Sequence, residues 1–286
     1  MSEKYMTPQG RKTSITDNNS YPAFCYAASK EPELLKDFRR NPIYTEVLEH
    51  VLEQEGQIYL DVIARSQAKF TAADWDNFLK NDTLGNPRTF SYNIDGRMLS
   101  ASPTTLRYAK VLSDILALYD TEKIRSIAEI GIGYGGQCRL LTSHLKTLEH
   151  YHLIDLPEVL ELAKKYLSQL SASPLEFVDG TKLDTDIAAD LVISNYAFSE
   201  LIPEVQEIYL NHVILHAKAG YITYNPLAYN QFGSYSAEQL LNKIPGSYII
   251  PEEPLTFPGN CIIVWSSSGN RKNATTPPPS HKIRFI

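Results

Sequence analysis

The chain has little cysteine: three residues in 286, at Cys25, Cys138 and Cys261. The odd number excludes a framework in which every cysteine is paired, and no two of them have the spacing of metal ligands. A disulfide-stapled secreted domain and a sulfur-rich metal module are therefore excluded. Free, buried thiols in a reducing compartment fit this usage, so we expect a cytoplasmic protein.

Positive charge is also scarce. Lys and Arg number 27 against 33 Asp and Glu, which gives a net charge of −6 at pH 7. Basic residues cluster only at Arg39 and Arg40 and near the C-terminus. Because binding to nucleic acid needs a basic face, nucleic acid is not an expected partner. No run of about 18 apolar residues is present, so no membrane span is predicted, and the first residues lack the apolar core of a signal peptide.

The remaining composition, 43% hydrophobic and 21% charged, is typical of a globular protein. Three segments are predicted. Residues 1–100 carry short helical patterns and are predicted to form an N-terminal arm and a helical cap, with residues 1–30 loosely held. Residues 101–267 are predicted to form the main domain, and residues 268–286, rich in Ser, Asn and Pro, a flexible tail.

Strand and helix patterns alternate after residue 101. Ser102 and Pro103 mark the start of a helix, with a capping side chain followed by proline at the first helical position. The alternation predicts an α/β fold, a Rossmann-like doubly wound sheet of seven strands. The predicted strands lie near residues 125–130, 150–155, 175–179, 190–194, 219–224, 246–250 and 260–265, and the predicted helices near 135–147, 157–170, 203–216 and 236–244.

The most informative stretch is residues 127–137, where a buried strand ends in a glycine-rich turn that opens directly into a helix. Gly131, Gly133 and Gly135 follow Glu129 at alternate positions. Glycine allows a tight turn and a close approach of a ligand to the backbone. Unpaired N–H groups at the start of a helix attract an anionic or polar group. The pattern therefore predicts a nucleotide-binding loop.

The glycines alone leave two cofactor classes open. Gly131, Gly133 and Gly136 fit the G-x-G-x-x-G of dinucleotide dehydrogenases. Glu129 with the alternate glycines fits the (E/D)-x-G-x-G-x-G of S-adenosylmethionine-dependent methyltransferases. Roughly 100 residues precede the strand, whereas a dinucleotide fold usually begins its domain. The next strands end in polar side chains that suit a cofactor without phosphates: Asp155, Asp179 and Asn195.

Several further motifs accompany the loop. They are residues 37–42 (DFRRNP), 81–87 (NDTLGNP), 102–108 (SPTTLRY), 153–159 (LIDLPEV), 194–201 (SNYAFSEL) and 254–260 (PLTFPGN). Together with the loop, they resemble class I S-adenosylmethionine-dependent methyltransferases of the sugar O-methyltransferase group. The resemblance implies methyl transfer to a hydroxyl of a sugar or glycosylated small molecule, a nucleotide sugar among the substrates, and an antiparallel hairpin that closes the sheet.

The predicted cofactor-binding residues are Glu129, Gly131, Gly133, Tyr134, Gly135, Gln137, Asp155, Leu156, Asp179, Gly180 and Asn195. Structural alternatives remain: a plain tight turn for the glycines, a helix cap for Asp155, and an ordinary Asp-Gly turn for Asp179. In the family that the chain resembles, the acid at Glu129 holds loop amides or the methionine amino group. Arg107 is a candidate for the methionine carboxylate, or else a solvent-facing helical arginine.

The proton of a sugar hydroxyl has a pKa far above neutrality, so a general base or a metal ion should assist its removal. Most histidines lie away from the predicted site, and the candidates therefore follow the fourth strand. Glu200 is the predicted base, and Tyr196 is predicted to wall the methyl group or stack on a sugar. Mg²⁺ is a cofactor that no sequence pattern requires, and no metal ligands are predicted.

Two alternatives to this function stay open. One is a methyltransferase acting on a small molecule other than a sugar. The other is a catalytically inactive protein that binds the cofactor and serves as a partner subunit, although the intact glycine loop and Asp155 argue against it. A homo-oligomer is compatible with the sequence.

Overall fold

A computed structural model describes Ser14, residues 20–170 and residues 174–267. Predictions for the rest of residues 1–19, and for the tail at 268–286, lie outside the described residues. Within the described part of the chain, no helix is both long and apolar enough to cross a membrane. Cys25, Cys138 and Cys261 are buried and unpaired there, which confirms the prediction of free thiols.

The N-terminal region is a helical cap followed by a hairpin. Its elements are α1 (Ser20–Lys30), α2 (Pro32–Asp37), α3 (Pro42–Val47), α4 (Glu53–Arg65), α5 (Ala72–Phe78), β1 (Phe90–Ile94) and β2 (Arg97–Ala101). The prediction of a loosely held arm over residues 1–30 is wrong for residues 20–30. That segment is helix α1, which buries Phe24, Cys25 and Ala28 in the core.

The hairpin of β1 and β2 was not predicted, because the sequence analysis assigned only short helical patterns to residues 1–100. Asp95 and Gly96 connect its strands with φ of 50° and 80°. Two successive positive φ angles are typical of the tight turn that joins twisted antiparallel strands. β1 has five residues, and only Tyr92 and Ile94 are buried. Two buried positions are too few to give a strong alternating pattern in the sequence.

Seven strands form the central sheet: β3 (Ser126–Ile130), β4 (His150–Asp155), β5 (Leu175–Asp179), β6 (Leu191–Asn195), β7 (Ala219–Tyr224), β8 (Tyr248–Pro251) and β9 (Cys261–Ser266). Their order is β5-β4-β3-β6-β7-β9-β8. The first five are parallel, and β9 runs antiparallel between β7 and β8. The predicted doubly wound sheet and its closing hairpin are confirmed.

Helices cover both faces of this sheet. They are α6 (Pro103–Leu118), α7 (Gly136–His144), α8 (Pro157–Leu170), α9 (Pro203–His212), α10 (Leu227–Phe232) and α11 (Ala237–Lys243). Because side chains alternate along a strand, Ile127 of β3 packs with α6, α7, α8 and the cap, while Ala128 and Ile130 pack with α9 and α11. The parallel strands bring their carboxyl ends to one edge, where ligands bind in such folds.

Candidate active site

The glycine loop has the backbone that its sequence predicts. β3 ends at Ile130, and φ is then +75° at Gly131, +54° at Gly133 and +87° at Gly135. A residue with a side chain is strained at such angles. Helix α7 begins at Gly136, so its unpaired N–H groups lie at the end of the loop.

Side chains from two other segments press against this loop. A Cβ built on Gly131 would lie 2.0 Å from the Cβ of Ala197, and one built on Gly133 would lie 2.7 Å from Cδ1 of Leu48. Leu48 belongs to the segment 48–52, which joins α3 to α4. In this structure the cap therefore covers the middle of the loop.

The carboxylate of Asp155, at the end of β4, holds the loop in place. Its Oδ2 accepts the N–H groups of Ile132 at 2.8 Å and Gly133 at 3.2 Å, and its Oδ1 accepts that of Leu156 at 2.7 Å. Burial raises the pKa of Asp155 to about 6, against the opposing effect of these amides. A carboxylate offers about four lone-pair sites, so one on Oδ1 is not taken by these amides.

Glu129 lies below the loop and faces the other way from its amides. Its Oε2 accepts the hydroxyl of Tyr151 at 2.5 Å. Burial raises the pKa of Glu129 to about 8, against the opposing effect of the hydrogen bond from Tyr151. The family resemblance implies two roles for Glu129, and one of them, accepting the loop amides, belongs to Asp155 in this structure.

Tyr134 and Gln137 turn their side chains into the core. The ring of Tyr134 packs against Tyr166, with 4.7 Å between centroids, and the guanidinium of Arg39 lies 4.6 Å from it. Gln137 donates its amide to the carbonyl of Tyr108 at 3.3 Å. Only the backbone of these two residues is therefore placed to contact a ligand on the loop.

Asp179 and Gly180 form a local turn at the end of β5. Asp179 accepts the N–H of Thr181 at 3.0 Å and lies 3.0 Å from Nζ of Lys182. A Cβ on Gly180 would lie 2.2 Å from the hydroxyl oxygen of Tyr209, so glycine is needed there for packing. The structure thus gives both residues a structural role, and their role in cofactor binding stays a prediction.

A narrow cleft lies where α4 and α6 face β6 and β7. It is lined by Tyr59, Arg107, Lys110, Val111, Asn195, Tyr196, Tyr221, Thr223, Ile262 and the segment 252–254, and its volume is about 20 Å³. That volume holds about one water molecule. The predicted residues Asn195 and Tyr196 therefore lie together at this cleft, and Arg107 lies there with them.

Tyr196 is held in an unusual conformation by a partner that sequence reasoning missed. Its φ is +69°, rare for a residue with a side chain. Its hydroxyl donates to Oε1 of Glu252 at 2.5 Å. Glu252 is buried, and its other oxygen accepts the N–H of Thr256 at 2.8 Å. Motif 254–260 was the available signal, because it begins two residues after Glu252 and supplies Thr256.

Glu200 occupies a different position from Tyr196. It ends the short 3₁₀ turn after β6, and its Oε1 accepts the side-chain amide of Asn225 at 2.7 Å. Burial raises its pKa, and the hydrogen bond from Asn225 opposes the rise. A raised pKa suits a base, but Glu200 is not among the residues that line the cleft.

A buried polar network attaches the cap to the main domain. Its centre is Arg39, whose Nε lies 2.5 Å from Oε1 of Glu49 and whose Nη1 lies 3.0 Å from Oδ1 of Asp82. Nη2 of Arg39 donates to the hydroxyl of Ser102 at 3.1 Å. The motifs at 37–42, 81–87 and 102–108 are thus brought together by one arginine.

The same network reaches the glycine loop through Asn81. The amide of Asn81 donates to the carbonyl of Gly136 at 3.0 Å, and its Oδ1 accepts Nη1 of Arg139 at 3.0 Å. Gly136 is the first residue of α7, so the cap positions the start of the helix that follows the loop. Among residues 20–170 and 174–267, no group of three or more His, Cys, Asp or Glu side chains is placed to hold a metal ion.

Residues 100–200 match the model of a family described as O-methyltransferase domain. The matched segment contains the glycine loop, Asp155, Asp179 and Asn195, and it spans β3 to β6 of the central sheet. A comparison with curated proteins found no match. The match and the sheet together support a methyltransferase with a Rossmann-like fold.

Solved structures of methyltransferases resemble the chain at low identity. An O-methyltransferase family protein from Burkholderia thailandensis is 14% identical, with 89% of this chain and 97% of that one covered and a TM-score of 0.42. The methyltransferase domain of bacterial CtHen1 is 15% identical, with 56% and 97% covered and a TM-score of 0.42. The N-methyltransferase NodS from Bradyrhizobium japonicum, in complex with S-adenosylhomocysteine, is 15% identical, with 59% and 86% covered and a TM-score of 0.40. Likenesses this distant assign no substrate.

Proposed function

We propose that the protein transfers the methyl group of S-adenosylmethionine to a hydroxyl of a sugar or a glycosylated small molecule. The observation that carries the proposal is the loop of three left-handed glycines, held by Asp155, inside the segment that matches an O-methyltransferase domain. The sugar as acceptor rests on the family resemblance.

The residues present fit this cofactor in chemistry. The loop backbone would hold the amino-acid half, the free lone pair of Asp155 a ribose hydroxyl, and Leu156, Asp179 and Gly180 the adenine side. The Cδ1 of Leu48 stands over Gly133, so the side chain must withdraw before a ligand reaches that glycine. Residues 48–52 join two helices and belong to neither, which makes such a movement local.

The cleft beside Tyr196 has the chemistry of an acceptor pocket. Three tyrosines, Tyr59, Tyr196 and Tyr221, line it together with the amide of Asn195. Aromatic faces and a few directed polar groups are what small-molecule sites combine to fix orientation. With the cofactor on the glycine loop, a hydroxyl in this cleft would meet it at the end of β6.

The cofactor supplies an electrophilic methyl group on a sulfonium ion, so the protein must align the acceptor oxygen, exclude water and take a proton. We propose that the hydroxyl oxygen of Tyr196 accepts the proton of the acceptor hydroxyl. At the same time, Tyr196 gives its own proton to the carboxylate of Glu252. Glu200, the base predicted from sequence, remains the alternative, supported by its burial and raised pKa.

Calorimetric titration with S-adenosylmethionine and with NAD tests the cofactor. We expect binding of the first and no binding of the second; the reverse result would identify a dinucleotide enzyme. Incubation with S-adenosylmethionine and a panel of free and nucleotide sugars, with Mg²⁺ and with chelator, then tests the reaction by mass spectrometry. Binding without any methylated product across sugars and other small hydroxyl compounds would favour an inactive partner protein.

A further inference from the structure

Lys110 is a buried cation at the cleft with a single hydrogen-bond partner. It lies on α6, lines the cleft and is 5% exposed. Its Nζ lies 2.7 Å from Oδ2 of Asp114, one turn later on the same helix. Among the residues that the structure describes, Lys110 has no second partner, although an ammonium group carries three N–H donors. Because buried donors are usually paired, the two unused donors require an explanation.

Tyr221 bonds the same carboxylate oxygen. It lies on β7 and lines the cleft, and its hydroxyl donates to Oδ2 of Asp114 at 2.6 Å. Burial raises the pKa of Tyr221, and the neighbouring Asp114 and Tyr196 raise it further. The phenol therefore stays protonated, and its oxygen keeps lone pairs that can accept a hydrogen bond. We call Lys110, Asp114 and Tyr221 together the lysine cluster.

The lysine cluster lies at the same cleft as the proposed proton relay. In both, a tyrosine hydroxyl donates to a carboxylate: Tyr196 to Glu252, and Tyr221 to Asp114. The N–H of Tyr196 donates to the carbonyl of Thr223 at 3.0 Å, and Tyr221 lies two residues before Thr223 on the same face of β7. The cleft between them has a volume of about 20 Å³, enough for about one water molecule. Groups on its two sides are thus close enough to bond neighbouring atoms of one ligand.

The chemistry of the lysine cluster favours one kind of ligand group. An uncompensated cation would favour a carboxylate or a phosphate, but Asp114 compensates the charge of Lys110. An apolar group would leave the buried donors unpaired, at the cost of their desolvation. A hydroxyl both accepts and donates. It would accept an N–H of Lys110 and donate to the oxygen of Tyr221, so a hydroxyl is the group that the cluster matches.

We propose that Lys110 and Tyr221 bind a second hydroxyl of the acceptor, next to the hydroxyl that receives the methyl group. The acceptor is then a vicinal diol, and the lysine cluster determines specificity without taking part in proton transfer. The proposal rests on the proposed function, because the first hydroxyl is the one whose proton Tyr196 is proposed to accept. A site built to bond a hydroxyl strongly rejects the analogue that lacks it, because the buried polar groups of the site are then left unpaired.

Monodeoxy sugars test the proposal. Methyl glycosides of glucose, galactose, mannose and rhamnose are incubated with S-adenosylmethionine, together with the monodeoxy forms of each glycoside that is methylated, and kcat/KM is measured by mass spectrometry. Removal of the methylated hydroxyl should abolish the product. Removal of one neighbouring hydroxyl should lower kcat/KM by about 100-fold or more, and removal of a more distant hydroxyl should lower it by less than about tenfold.

Lys110→Met separates a specificity residue from a structural one. The measured quantity is the ratio of kcat/KM between the parent glycoside and the form that lacks the neighbouring hydroxyl. This ratio should fall from about 100 or more to below about 5 in the variant, because the polar group that rejects the deoxy form is gone. Tyr221→Phe keeps the ring, removes the accepting oxygen and should lower the ratio in the same direction. A structural lysine would slow both acceptors equally, so an unchanged ratio in both variants overturns the proposal.

Lys218→Met is the matched control. Lys218 lies 2.7 Å from Oδ1 of Asp190, and neither residue lines the cleft, so the ratio should stay at the wild-type value. Methylation of cyclohexanol or phenol as fast as that of the best glycoside would overturn the inference and leave methyl transfer to a hydroxyl standing. A wild type that binds S-adenosylhomocysteine and methylates none of the glycosides also overturns the inference. Failure to bind S-adenosylhomocysteine would instead overturn the proposed function.

Discussion

The hydroxyl of Tyr196 donates to the carboxylate of Glu252 at 2.5 Å and so joins the end of β6 to the loop between β8 and β9. Thr256 also bonds that carboxylate, through its N–H to Oε2 at 2.8 Å and through its hydroxyl at 3.0 Å from each of the two oxygens. A tyrosine that already donates to a carboxylate can accept a proton on one side while releasing its own on the other. The pair therefore has the geometry of a proton relay at the cleft.

Glu252→Gln should lower kcat by about two orders of magnitude, the usual contribution of a positioned base. KM should change little, because in the proposed relay Glu252 takes its proton from Tyr196 and not from the acceptor. Tyr196→Phe should lower kcat similarly. Steady-state rates with the acceptor found by mass spectrometry check this, measured between pH 6 and 9, where a lost base also changes the pH profile.

The control for this substitution is another tyrosine–carboxylate pair. Glu207 accepts the hydroxyl of Tyr235, and neither residue lines the cleft, so Glu207→Gln should leave kcat within twofold. If Glu200→Gln abolishes turnover while Glu252→Gln does not, the base is the residue predicted from sequence.

The sequence predicts the sheet well because its signals are local. Three predicted strands end in Asp155, Asp179 and Asn195, and the strands found in the structure begin and end within two residues of the predicted ones. The glycine loop is equally local, because positive φ at alternate residues needs glycine whatever surrounds it.

The contacts between distant segments could not be predicted in this way. Glu252 meets Tyr196 across 56 residues, and Arg39 meets Asp82 across 43. The sequence around each of these residues does not distinguish it from other charged or polar positions. Only the packing of the folded chain shows which acid faces which donor. The motifs gave a partial signal: those at 37–42, 81–87 and 102–108 proved to be one network, although nothing in their spacing predicted it.

Leu48→Ala should speed the association of S-adenosylhomocysteine several-fold. The Leu48 side chain occupies the space over Gly133, and the ligand must displace it. Stopped-flow fluorescence measures the rate. Leu35→Ala shortens another half-buried leucine of the cap, in α2, and should leave the rate unchanged. An equal or slower rate in Leu48→Ala would show that the leucine does not block the loop.

Binding of S-adenosylhomocysteine should weaken as the pH falls below 6. Burial raises the pKa of Asp155 to about 6, so acid protonates the oxygen proposed to accept a ribose hydroxyl. The affinity should fall by up to tenfold per pH unit below 6 and level off above 7. Calorimetry from pH 5 to 8 measures this, and Asp155→Asn should flatten the profile. An unchanged slope in that variant would assign the effect to another group.

The effect of Asp155 on folding stability depends on pH in the opposite direction to its effect on ligand binding. Its pKa is higher in the folded protein than in the unfolded chain, so the folded state binds the extra proton. The contribution of Asp155 to stability is therefore most favourable below its unfolded value of 3.8 and falls as the pH rises through 6. Acid should thus lower the affinity for the ligand without lowering the stability that Asp155 contributes to the fold. Thermal unfolding of the wild type and Asp155→Asn at pH 5 and pH 7 can check this.

Arg39→Met should destabilise the protein by about 3–5 kcal/mol, because it leaves the buried carboxylates of Glu49 and Asp82 without their cation. Urea denaturation followed by circular dichroism measures the free energy of unfolding. Arg97→Met is the matched control: it breaks an ion pair with Asp76 at 2.6 Å between side chains that are 41% and 57% exposed, which should cost less than about 1 kcal/mol. Equal losses in the two variants would mean that the buried network does not attach the cap. A larger loss at Arg39 would show that motif residues distant from the glycine loop in sequence stabilise the fold by attaching the cap to the main domain.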